Sequence, residues 1–322
     1  MPPLHAHARA VVALALACLT WASSAPLGQE ARTIAVTLDD GPFVAAGAGT
    51  YLAKAEAATT RLLATLRAHG ATAVLFVNER QLEGGDEAEV PARTALLRRW
   101  LDAGHALGNH TYSHPDANAL TAGAYADDIA RGDRATRQLL AARGAPPPRY
   151  FRHPFTHTGD TAEKKASIEA ALAARGYVVT PHTVENSDWL FNVGYRRAVE
   201  AGDPAATQRF ASAYLAHTRE VVAFAEAAST RVFGRVIPQV LLIHANSLNA
   251  DVLGTVLDDL VARGYRLVTL DEAMRDDAYR TPDTWVGRNG PTWLFRWSRS
   301  LGQAVSFAGE PEPLSWVADA AK

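Results

Sequence analysis

The chain has 322 residues, of which 48% are hydrophobic and 20% charged, and its formal net charge is -2. That length can bury a substantial core, and that composition excludes an intrinsically disordered chain. Nearly balanced charge without a long basic block leaves no electrostatic footprint for nucleic acid.

Residues 1–25 read as an export signal. His5, His7 and Arg9 make a weakly positive start, an apolar run of eleven residues covers 10–20, and Ala22, Ser23, Ser24 and Ala25 supply small residues for cleavage. Eleven residues are too few to span a bilayer, so no stable membrane anchor is expected and the protein is expected in the periplasm or secreted. A buried N-terminal helix is the competing reading. Cys18 is the single cysteine, and Ala15 stands where a lipoprotein site usually has Leu, so lipid anchoring at Cys18 is not expected. Once the signal is removed no cysteine is left, and any metal site must be built from His and carboxylates.

Beyond the signal, strand-like and helix-like segments alternate. The pattern predicts strands at 33–38, 72–77, 105–108, 150–151, 177–180, 240–243 and 267–269, with helices at 56–69, 92–103, 122–143, 162–175 and 252–263. Gly70, Gly104, Gly144, Gly176 and Gly264 end these helices. Repeated helix–Gly–strand joints argue for a parallel α/β sheet with crossover helices, and about seven units fit a closed or nearly closed β/α barrel. An open doubly wound sheet is the alternative, weakened because no Gly-rich nucleotide fingerprint follows the first strand. An insertion at about 190–239 carries its own helix, roughly 204–230, with Asp203 as N-cap and an apolar stripe through Phe210, Tyr214, Val221 and Val222. The tail, 277–322, is rich in Pro, Gly and Trp and is expected to pack on the barrel.

Asp39 and Asp40 follow the first strand and precede Gly41-Pro42. Two acids at a strand end read either as a polar turn or as a site. His110 and His114 stand four apart, a spacing that puts both rings on one face of a helical turn. All four follow predicted strands, and strand ends of a barrel converge on one face, so Asp40, His110 and His114 can meet there and suit a catalytic zinc. Arg152, Asp188-Trp189 and His244 also lie just beyond strands, which argues for a single site.

Asp39-Asp40-Gly41, His110-Thr111-x-x-His114, Arg152-x-Pro154, Asp188-Trp189 and Leu242-x-His244 together resemble the motif set of the polysaccharide deacetylases, the NodB-homology carbohydrate esterases of family 4. The resemblance covers roughly residues 34–274 and implies a distorted (β/α)7 barrel, spanning 31–276, that removes acetyl groups from N-acetylated or O-acetylated sugars. It implies Asp39 as general base, Asp40, His110 and His114 as metal ligands, and His244 as general acid. Arg152 is then expected to orient Asp39, Asp188 to pair with His244, Trp189 and Leu242 to line the acetyl pocket, and the Phe155 N–H to meet the oxyanion. Zinc suits the ligand set, and cobalt or manganese also fit. Glu185 stands where the family often has Asp, and Phe155 where it often has Tyr. His153, His157 and His182 read as structural or rim residues, and Asn246 and Asn249 as sugar contacts or solvated turn residues. A same-fold deacylase of another amide or of a lipid-linked sugar, and an inactive carbohydrate-binding protein, are the competing functions.

Overall fold

The computed structural model describes residues 32–44, 51–84 and 86–322, so the export-signal reading and Cys18 lie outside the described residues. Eight strands follow in chain order: β1 (Arg32–Gly41), β2 (Ala73–Val77), β3 (Ala106–Asn109), β4 (Tyr150–Phe151), β5 (Val178–Val179), β6 (Val184–Glu185), β7 (Gln239–His244) and β8 (Tyr265–Val268). Every pairing between them is parallel. The order β5-β4-β3-β2-β1-β7-β6, with β8 against the start of β1, makes a curled sheet of the distorted (β/α)7 type. β1 is its centre: Ile34 to Leu38 are buried, and the strand pairs with β2, β7 and β8. Continuous apolar strands such as β1, β2 and β7 are what a parallel sheet covered on both faces requires.

The helices are α1 (Tyr51–Ala68), the short α2 (Arg80–Glu83), α3 (Val90–Asp102), α4 (Ala122–Arg131), α5 (Arg134–Ala141), α6 (Ala162–Ala174), α7 (Asp188–Glu200), α8 (Pro204–Phe233), α9 (Ser247–Ala262), the short α10 (Leu270–Ala273), α11 (Trp293–Ser300) and α12 (Ser315–Ala320). Leu62 and Leu66 of α1, Leu97 and Trp100 of α3, and Leu253 and Leu257 of α9 are buried in one cluster with Leu38, Leu75 and Ile243 of the strands. Their i, i+4 and i, i+3 spacings put them on one helix face, which is why the periodicity was readable.

Four expectations are corrected. The single helix over 122–143 is two helices, α4 and α5, because the chain bends at Gly132 and Asp133. A Cβ on Gly132 would lie 2.4 Å from the Thr111 carbonyl carbon, and the buried Asp133 carboxylate receives Arg137, Arg175 and the Tyr177 hydroxyl. β6, two residues long, is a strand that composition does not reveal. Asp188 therefore follows β6, not the strand near 177–180, and opens α7 directly. The segment 190–239 consequently holds most of α7 as well as α8. Helix α8 is capped as its sequence dictates: Asp203 accepts from the Ala206 N–H at 2.9 Å, and Gly234 ends it at φ 73°.

The tail lies against the barrel. Trp293 and Trp297 are buried, and Trp297 packs edge-on to Phe233 and Tyr279 with centroids 5.8 and 5.2 Å away. Trp316 covers Phe210 of α8 at 4.9 Å.

Candidate active site

The strand ends converge as barrel geometry requires. Asp39 ends up beside His244 because β1 and β7 pair in register there. The Asp39 carboxylate is buried, its Oδ1 accepting from Arg152 Nη1 at 2.7 Å. The same nitrogen donates to Thr37 Oγ1 at 2.7 Å, and the guanidinium lies over the Phe76 ring at 4.4 Å. Arg152 is itself fully buried, so its charge is held by Asp39 and the aromatic face rather than by water.

Asp40 takes the opposite course. Its φ of 61° turns the backbone out of the strand, and its side chain points at two imidazoles. Oδ1 lies 3.6 Å from His110 Nε2 and 3.4 Å from His114 Nε2, and it is buried with no hydrogen-bond partner. A buried carboxylate oxygen is costly to leave unpaired. The ligand atoms of Asp40, His110 and His114 all fall within 4.8 Å of one another, so the three side chains fit a metal ion by geometry and by donor chemistry. His110 Nδ1 lies 2.8 Å from the Arg152 carbonyl, which must accept its N–H and so leaves Nε2 as the lone-pair donor toward Asp40. Burial, reinforced by His114, pushes the His110 pKa down to about 3, which keeps the ring in its ligating, neutral form.

The two imidazoles do not share a helical face. They stand on an irregular turn in which Thr111 and His114 have φ of 67° and 58°, and their ring centroids are 5.0 Å apart. That turn is pinned from α4: Asp128 accepts from the Tyr112 and Ser113 N–H groups at 2.9 Å and from Ser113 Oγ at 2.7 Å. Asn109 Oδ1 accepts from Thr111 N at 2.6 Å.

Opposite, His244 Nδ1 lies 2.7 Å from Asp188 Oδ1. Burial opposes a charge on this ring, but Asp188 outweighs it and raises the pKa to about 10. Asp188 Oδ2 accepts the His244 N–H at 3.0 Å and both Asn246 and Asn249 Nδ2 at 2.6 Å. Asn246 and Asn249 are fully buried, so neither is a sugar contact nor a solvated turn residue: both hold Asp188. Adjacent, burial and the Asp188 charge push the Glu185 carboxyl up to about 7.

A cavity of about 490 Å³ is lined by Asp39, Asp40, His110, His114 and His244, and by Trp189, Leu242 and Phe155 from the sequence-derived set. Trp189 is 54% exposed and Phe155 56%, whereas Leu242 is buried in β7. The Phe155 ring stands edge-on to His114, centroids 4.7 Å apart. Arg152 and Asp188 act from behind this wall. His153 and His182 also line it, while His157 pairs with Asp116 at 2.8 Å. Sequence reasoning missed Thr37 and Asp128, which hold site residues from behind, and the tail residues Gly290–Thr292 and Glu310, which line the cavity. A polar Thr37 amid an otherwise apolar buried strand was a usable signal; the tail residues offered none.

A parallel barrel whose strand ends gather an Arg-held carboxylate, an Asp-His-His cluster and a carboxylate-paired imidazole defines a class, the barrel-borne metallohydrolases. The family model for polysaccharide deacetylases matches residues 28–171. The chitin deacetylase of Colletotrichum lindemuthianum is 25% identical over 254 residues, 78% of this chain and 82% of that protein. Its solved structure superposes with a TM-score of 0.52 at 23% identity, covering 80% of this chain and 91% of that one. The peptidoglycan-N-acetylmuramic acid deacetylase of Bacillus subtilis is 23% identical over 230 residues, 70% of this chain and 69% of that protein. A family 4 carbohydrate esterase pseudoenzyme from Bacillus anthracis shares the fold with a TM-score of 0.52 at 17% identity, covering 76% of this chain and 66% of that one. This chain spans only about half the length of two other fungal chitin deacetylases, 52% and 56%. Through residues 28–171 the chain is similar to the polysaccharide deacetylase family, and it shares the fold of these deacetylases.

Proposed function

We propose that the protein is a metal-dependent deacetylase that removes acetyl groups from N-acetylated, or O-acetylated, sugars of a polysaccharide or oligosaccharide. The observation that carries this is the divided labour of two adjacent acids. Asp39 is fixed by Arg152, while the unpaired Asp40 Oδ1 faces His110 and His114. A divalent cation held by Asp40, His110 and His114 supplies polarisation of the acetyl carbonyl and acidification of the attacking water. Zinc is the preferred ion by ligand type, and cobalt and manganese fit the same donors.

The chain's own groups do the rest. Asp39, free of the ligand set, takes the water's proton as oxygen attacks the acetyl carbon, and Arg152 keeps its carboxylate aimed. The Phe155 N–H donates to the oxygen on which negative charge develops. His244, held cationic by Asp188, gives its proton to the leaving nitrogen as the C–N bond breaks, so acetate and a free amine depart. Trp189 and Leu242 enclose the methyl group. We assign 31–276 as the catalytic domain and 277–322 as its extension, and the apolar run near the N-terminus supports export of the protein to the periplasm or outside the cell.

The test is acetate release by the zinc-loaded protein from N-acetylglucosamine oligomers, peptidoglycan and acetylated xylan, side by side. Release is expected from at least one, and Asp39→Asn should reduce it to background with bound metal unchanged. No release from any of the three would favour another amide, a lipid-linked sugar or an inactive binding protein. Full activity in Asp39→Asn would remove the base assignment.

A further inference from the structure

The segment after the last barrel strand reaches the site from outside the shared motifs. Gly290, Pro291 and Thr292 line the cavity next to Phe155 and Thr156. Phe155 and Thr156 both lie in the left-handed region, at φ 54° and 55°. Two consecutive residues with a Cβ hold that conformation only where the surroundings over-determine it. The barrel places this turn after β4; the tail then fastens it at three points.

The first is Arg296 of α11, which is fully buried. Its Nη2 donates to the Thr156 carbonyl at 2.6 Å. Nη1 donates to Asp283 Oδ2 at 3.0 Å and Thr158 Oγ1 at 3.3 Å, and Nε to the Pro291 carbonyl at 2.9 Å. One guanidinium thus joins both sides of the strained turn's exit to the tail loop, with Trp293 stacked 4.0 Å beneath it. The second is Thr156 Oγ1, which donates to the Gly290 carbonyl at 2.6 Å. The third is steric. A Cβ on Gly290 would lie 1.9 Å from Thr156 Oγ1 and 2.3 Å from the Phe155 carbonyl oxygen, so the tail backbone rests directly on the turn. Trp293 anchors the arrangement to the barrel, its backbone N–H donating to the His182 carbonyl at 3.0 Å.

We infer that the C-terminal extension is a working part of the catalytic site, in which Arg296 and Gly290 hold the Phe155–Thr156 turn so that the Phe155 N–H aims at the reacting carbonyl. The inference rests on the proposed role of that N–H as oxyanion donor. Arg296 is a positioning residue: it acts through the Thr156 carbonyl and touches no substrate. A planar guanidinium is required because four acceptors must be met in a fixed fork, which an ammonium cannot do. An oxyanion donor moved by about 1 Å loses on the order of 10²-fold in rate, because its stabilisation depends on being aimed before charge develops.

The test uses the full-length, zinc-loaded protein and the variants Arg296→Lys, Arg296→Gln and Gly290→Ala. The readouts are kcat, KM, bound metal, and hydrogen–deuterium exchange over residues 153–158 in the metal-free protein. We expect kcat to fall roughly tenfold or more, KM to stay within about twofold, metal content to be unchanged and exchange at 153–158 to quicken. Arg296→Lys should lose less than Arg296→Gln. Should Arg296→Gln fail to fold, Gly290→Ala decides, since it keeps the Arg296 guanidinium and acts by pushing against the turn. A lowered melting temperature with kcat per folded, metal-loaded chain unchanged would mean a merely structural role and overturn the inference. Failure of the underlying reading looks different. The parent itself would then release no acetate, and unchanged exchange at 153–158 in the variants would overturn the clamp independently.

Discussion

At Asp188 one carboxylate does four things: it charges His244, fixes that residue's backbone, and receives two buried amides. A pKa of about 10 against the ordinary 6.5 keeps His244 protonated, which suits the proposed donation of a proton to the leaving amine. The sign follows from linkage: the folded pKa is raised, so the pair's stabilisation is complete below about pH 6.5 and is lost as pH rises through about 10. Replacing Asp188 by Asn removes the largest raising influence and leaves burial opposed only by the Asp40 and Asp39 charges, which lowers the imidazole pKa. In a pH–kcat profile the alkaline limb, expected near pH 10 in the parent, should shift to lower pH in Asp188→Asn. A limb that stays in place would remove His244 as the acid.

Among the elements, α8 shows how an insertion can serve a site it never enters. Tyr214 is buried, donates its hydroxyl to Asn249 Oδ1 at 2.8 Å and accepts from Asn186 Nδ2 at 2.8 Å. Asn249 in turn holds Asp188, so the helix supports the acid–carboxylate pair through one intervening side chain. Tyr214→Phe keeps the ring and leaves Asn249 Oδ1 without its donor, while Asn186 retains Thr218 at 3.0 Å. An unsatisfied buried acceptor costs about 1–3 kcal/mol, to be read as a lowered urea midpoint at constant m-value. The His110–His114 turn has a similar support in Gly132, whose lack of a side chain lets the end of α4 approach Thr111.

For the whole molecule, a metal held at the proposed site would add stability that no internal disulfide supplies, since Cys18 is the only cysteine. An ion that binds only the folded Asp40–His110–His114 cluster, at about a thousandfold above its dissociation constant, stabilises by about 4 kcal/mol. Chelation should therefore lower the melting temperature by several degrees and reduce acetate release to background, and added zinc should restore both. His114→Ala should show the chelated behaviour without chelator. A melting temperature indifferent to chelator and zinc would exclude a metal at this cluster.

Much of this was legible in residue order. Parallel barrel strands are continuous apolar runs, and polar residues immediately beyond them converge whatever lies between, so Asp39, Asp40, His110, His114 and His244 could be brought to one face from sequence alone. What residue order could not carry were contacts made across the fold. β6 is only two residues long and exists because β7 supplies its partners. The break between α4 and α5 reflects the approach of Thr111, not a local breaker strong enough to stop a helix. The irregular turn of His110–His114 is set by Asp128 and Asn109, the burial of Asn246 and Asn249 by Asp188, and the left-handed Phe155–Thr156 turn meets Gly290 and Arg296 from a tail more than a hundred residues away. Periodicity and strand-end chemistry are local properties of a sequence and determined the barrel and its acids and imidazoles; the shape of the turns and the closing of the cavity depend on packing between distant segments, which only the tertiary structure decides.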